Sequence, residues 1–143
     1  MKRVCSILIT AFFVASIAEA ANIDIRKITE PQRKKCLAEI GIPVEVVNEA
    51  EVGYFTQEDK LACYFKCMLE KFNMFTSDGK INYKMILMAI PDIWKPFAQD
   101  LIDSCNHVTG KDRCELAYNF NRCMYETNPV VCKRRISVTI LSL

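Results

Sequence analysis

The chain lacks the spacings around which metal sites and hydrolytic centres are commonly built. Its 143 residues include a single histidine, His107, and no two cysteines stand at C-x2-C spacing. That leaves no ordinary zinc-ligand set. No Gly-x-Ser-x-Gly elbow occurs, and Asp103, Ser104 and His107 are merely close in sequence, which is not a nucleophile–base geometry. A histidine near a helix end, interacting with the helix dipole, is the simpler reading. Around Asp78-Gly79 an EF-hand loop also fails. Placing Gly79 at the sixth loop position puts Met74 first and Met85 twelfth, so the first ligand and the bidentate glutamate are missing. No enzyme activity, metal or cofactor is expected.

Long apolar runs are also scarce. One stands at the start: Lys2-Arg3, then a mostly apolar stretch from Val4 to Ile17, then Ala18-Glu19-Ala20, a small-x-small cleavage pattern. This reads as a secretory signal peptide over residues 1–20, shorter than the ~20 apolar residues of a membrane span. The mature domain is then 21–143, a single small domain that is secreted, extracellular and not stably inserted in a membrane. Removing Lys2, Arg3 and Glu19 leaves 17 basic and 16 acidic side chains, without the basic excess nucleic acid calls for.

What remains is helical spacing and cysteine. Thr29 is a candidate N-cap, with Pro31 in the first turn and Gly41 as the stop. A short amphipathic piece follows from Val44 to Ala50. Thr56 is the candidate cap of a third helix running to about Phe72. Asn82 starts a fourth, closed by Pro91. A fifth spans from Asp92 or Pro96 to His107. Asp112-x-x-Glu115 resembles a capping box for a sixth, ended by Asn128-Pro129.

Seven of the eight cysteines survive removal of the leader. Cys63 and Cys67 lie one helical turn apart on one face, so they do not readily bond to each other and each needs a partner elsewhere. Cys114 and Cys123 are nine residues apart. That is about 900° of helical rotation, so they point to opposite sides. With Cys36 and Cys105, six cysteines make three bridges, and sequence alone leaves fifteen connectivities open.

The intervals C-x26-C-x3-C-x37-C-x8-C-x8-C within predicted helices resemble the insect odorant-binding protein family, from about Thr29 to Tyr125. The resemblance implies an all-α fold: about six helices, stapled by three interlocked disulfides around an apolar ligand cavity. It implies the pairs Cys36–Cys67, Cys63–Cys114 and Cys105–Cys123. Cys132 departs from the pattern and is left unpaired or intermolecular. The implied function is an extracellular carrier that reversibly binds small hydrophobic odorant or pheromone-type ligands and delivers them to olfactory receptors. The alternatives are a carrier in glandular or reproductive fluid, or a secreted helical hormone or cytokine.

Under that resemblance the helical apolar positions become the candidate ligand wall. They are Phe65 and Leu69 on the third helix, Leu101 and Ile102 on the fifth, and Ala117, Phe120 and Met124 on the sixth. Met74, Met85 and Met88 add adaptable sulfur surface. Tyr64, Tyr83, Tyr118 and Tyr125 are candidate hydroxyl partners for a ligand's polar end. Lys133-Arg134-Arg135 reads as a solvated turn. The tail beyond it, with Ile136, Val138 and Ile140 alternating with polar residues or Leu141, is expected to fold back over the cavity mouth. Its competing role is a dimer contact through Cys132, so the chain is a monomer or a homodimer.

Overall fold

The computed structural model describes residues 25–128. The leader, Cys132 and the tail with Ile140 lie outside them. Six helices follow in order: α1 Ile25–Ile40, α2 Val44–Glu51, α3 Asp59–Lys71, α4 Tyr83–Ala89, α5 Lys95–Cys105 and α6 Arg113–Thr127. A single 3-10 turn, Asp92–Trp94, leads into α5. Among the described residues there is no strand beyond an isolated bridge, Phe75 with Ile81.

Where local chemistry sets a helix end, the sequence marks it. Gly41 adopts a positive φ of 64°, and its N–H bonds the Leu37 carbonyl at 3.0 Å, ending α1. The Asn82 side chain accepts from the Met85 N–H at 3.2 Å and opens α4. Asp112 accepts from the Glu115 N–H at 2.9 Å. The Glu115 carboxylate in return accepts from the Lys111 N–H, one residue before the expected cap position.

Three boundaries differ from the sequence reading. Thr29 is not a cap: α1 starts at Ile25, and Thr29 sits within it at 2% exposure. The buried stripe through Thr29 and Cys36 prolongs the helix through Pro31, despite the missing N–H. Thr56 does not cap α3, which begins at Asp59 after Glu58. The chain before it is held extended by tertiary contacts. Phe55 packs on Phe65, Tyr118 and Tyr125, and the Tyr118 hydroxyl donates to the Phe55 carbonyl at 3.3 Å. α5 stops at Cys105 rather than His107, and His107 is exposed in the connection to α6.

The helices gather around α3 and α6, which make the most extensive pairing in the fold. α1 packs on α3, α5 on α6, and α4 on α5. Three disulfides overlap along the chain: Cys36–Cys67 ties α1 to α3, Cys63–Cys114 ties α3 to α6, and Cys105–Cys123 ties α5 to α6. These are the pairs that the resemblance implies. Cys63 and Cys67, one turn apart, thus staple α3 to two different neighbours. Bridges of this kind contribute about 2–5 kcal/mol each in a small secreted domain.

Candidate apolar ligand site between α3, α5 and α6

The inward faces of the stapled helices are built by 3–4 spacing. On α3, Leu61, Tyr64, Phe65, Met68 and Leu69 are all at 0–1% exposure. α5 turns Ala98, Leu101 and Ile102 inward at 1–5%, and α6 turns in Ala117, Phe120, Asn121 and Met124 at 0–1%. Met74, just after α3, is 1% exposed. Eight of the candidate wall residues therefore meet in one continuous apolar cluster: Phe65, Leu69 and Met74; Leu101 and Ile102; Ala117, Phe120 and Met124. The Tyr83 ring lies 5.8 Å from Phe120, joining the rim to this interior.

Met88 is the exception. It is 64% exposed, while Ile86 and Ile90 take the inward positions at 1% and 4%. Met88 is two residues from each, about 200° around the helix, so it faces away from the cluster. Met85 is half-buried. The remaining candidate for ligand contact, Ile140 of the tail, lies outside the described residues.

At 0–1% exposure Phe65, Leu69, Phe120 and Met124 are almost wholly covered by neighbouring side chains. The interior is filled by its own side chains, so a ligand reaches these residues only if they move. Among the described residues, open clefts lie around it, three of them sizeable. One of 900 Å³ lies between the Thr76–Ile81 turn and the Asn106–Gly110 connection, with Tyr83, His107 and Arg113 on its walls. Two smaller ones, of 590 and 390 Å³, flank the extended segment before α3 and share Gln57 and Arg122. All three carry charged or amide side chains, and the largest of them adds apolar surface from Ile81, Val108 and Leu116.

The polar groups near the interior are few. Tyr118 and Tyr125 spend their hydroxyls on the carbonyls of Phe55 and Val52, at 3.3 and 2.8 Å. The Tyr83 hydroxyl donates to the Asn106 carbonyl at 3.4 Å. The Tyr64 hydroxyl is buried without a hydrogen-bond partner. Burial pushes its pKa up to about 12, outweighing the nearby Arg33 guanidinium, which favours the phenolate. Arg33 stays close without meeting hydrogen-bond geometry and instead engages Asn48 and Glu51.

Asn121 escaped the sequence reading. It is 0% exposed, four residues after Ala117 and three before Met124, in the middle of the apolar stripe of α6. The signal was present: a polar residue occupies a position that helical spacing assigns to the core. Thr29 and Asn121 are the buried polar residues among those described.

Residues 18–127 match the model of the PBP/GOBP family. The chain belongs to that family. It is 26% identical to general odorant-binding protein 69a of Drosophila melanogaster over 108 residues, 75% of this chain and 73% of the relative. Among solved structures, a medfly odorant-binding protein superposes with a TM-score of 0.68 at 26% identity, covering 80% of this chain and 98% of that one. An Anopheles gambiae odorant-binding protein 7 with four disulfide bridges, in complex with an azo compound, gives a TM-score of 0.70 at 25% identity, covering 79% and 93%. PBP/GOBP membership makes this chain a binding protein rather than an enzyme. Among its described residues, no helix is long and apolar enough to cross a membrane.

Proposed function

We propose that the protein is an extracellular carrier for small hydrophobic molecules of the odorant or pheromone type. It takes them up reversibly, shields them from water and releases them at chemosensory receptors, without chemistry on the ligand. The observation that carries this reading is the continuous apolar cluster of α3, α5 and α6, stapled on three sides by disulfides. The staples stabilise the frame independently of how tightly its centre is packed, so the interior can open for a ligand while the helices stay in register. Met68, Met74 and Met124 supply flexible apolar surface for that rearrangement. The wall residues in this reading are Phe65, Leu69, Leu101, Ile102, Phe120 and Met124. The basic start and apolar stretch of residues 1–20 support secretion, and carriage through extracellular fluid follows from it.

An apolar fluorescent probe tests the carrier. Its emission should rise on binding and fall as small aliphatic or aromatic ligands displace it. A folded, oxidised protein that binds neither probe nor any member of a broad ligand panel would contradict the reading.

A further inference from the structure

This inference rests on the carrier reading above and names the chemical class of its ligand. Asn121 lies on the buried stripe of α6 between Ala117 and Met124 and has no exposure to water. Its amide has one fixed end. Nδ2 donates to the Ala117 carbonyl at 2.8 Å, one turn back along the helix. Exchanging the two amide atoms would set Oδ1 against that carbonyl oxygen, so the nitrogen must occupy this side. Oδ1 is then left buried, and no hydrogen-bond partner reaches it. A buried amide oxygen without a donor is unfavourable. Its neighbours on the stripe, Ala117, Phe120 and Met124, have no donor to offer.

We propose that Asn121 Oδ1 is the polar anchor of the ligand site and accepts a hydrogen bond from the hydroxyl of a neutral, otherwise apolar alcohol. The chemistry is selective because Oδ1 can only accept. An aldehyde, ketone, ether or ester of the same chain length brings a second acceptor and leaves both unpaired. A carboxylate brings a negative charge to the same oxygen. The buried Tyr64 hydroxyl is the competing anchor, since it has no partner either. A hydroxyl can donate as well as accept, so an anchor at Tyr64 would serve carbonyl ligands and give alcohols no advantage.

The test is displacement of the fluorescent probe from the full secreted chain by a straight-chain alcohol, its aldehyde and its methyl ether, matched in length. The alcohol should bind tighter than either by about five- to ten-fold, the range of one net hydrogen bond. In Asn121→Leu the alcohol should lose that margin while the aldehyde and ether keep their affinities. Circular dichroism and thermal melting establish that the variant is folded, and where it is not, equal affinities across the wild-type series still overturn the proposal. Equal affinities across the wild-type series, as a water resident on Oδ1 would produce, overturn the proposal, as does an alcohol preference that survives Asn121→Leu. In both cases the carrier reading stands, because ligands still displace the probe. Failure of every ligand to displace it removes the carrier reading, and this inference with it.

Discussion

The α3–α6 pair and the stretch from α4 into α5 use similar apolar residues to opposite effect. In the pair, Phe65, Leu69, Phe120 and Met124 are 0–1% exposed and Cys63–Cys114 holds the two helices together. Between α4 and α5, Met88, Ile93, Trp94 and Phe97 are 39–72% exposed. Trp94 and Phe97 keep each other company, with ring centroids 6.0 Å apart. Hydrophobicity alone does not bury a side chain. α3 is thirteen residues long and repeats its apolar positions on one face, so a whole stripe can meet another helix. α4 has seven residues, and a 3-10 turn then redirects the chain, so apolar residues fall on both sides.

The contrast can be broken from either side. Phe120→Ala should have the largest effect. Removing a fully buried ring costs about 3–5 kcal/mol, seen in chemical denaturation as a lower midpoint. Apolar-ligand affinity, measured on the fraction still folded, should fall as well. Next is the joint between the two regions. Replacing Cys105 and Cys123 together by alanine opens a bridge with a sequence separation of 18. Loss of such a loop constraint costs about 3 kcal/mol. Amide exchange should rise first in α5 and only later in α3 and α6.

Tyr64 gives a pH test of how dry the α3 face is. Its hydroxyl is protonated in the folded state up to about pH 12. An ordinary tyrosine ionises near pH 10. The folded state therefore holds a proton that the unfolded state gives up between these values. Stability is intact below pH 10 and falls as pH rises toward 12, by about 2–3 kcal/mol at most. Tyr64→Phe should flatten that decline, and thermal melts from pH 9 to 12 would read it. A slope unchanged in Tyr64→Phe would mean that the hydroxyl reaches solvent. The smallest effect belongs to the exposed stretch: Phe97→Ala should shift stability by less than about 0.5 kcal/mol. A larger loss would show that the ring is covered in solution.

Legibility followed the range of the interactions. Gly41, Asn82 and Asp112 were readable as helix ends because their chemistry is confined to a few neighbouring residues. Thr29 and Thr56 looked like caps for the same local reason. They are not, because burial of the α1 stripe and the Phe55 contacts act over distances that sequence does not display. The inward residues of α3, α5 and α6 followed from 3–4 spacing, since each helix is long enough for its stripe to be unambiguous. Met88 did not, because a helix of under two turns carries too few positions to set its orientation. The 3–4 spacing of apolar residues passes over Asn121, a polar residue at an inward position.

The central claim is that ligand enters the closed apolar interior rather than resting in an open cleft. A crystal structure of the protein with a bound long-chain alcohol tests it most directly. The account predicts the chain of the ligand between Phe65, Leu69, Phe120 and Met124, with these side chains moved apart and the three disulfides in place. An alcohol seated instead in the 900 Å³ cleft beside Tyr83, His107 and Arg113, with the interior packed as it is now, would contradict it.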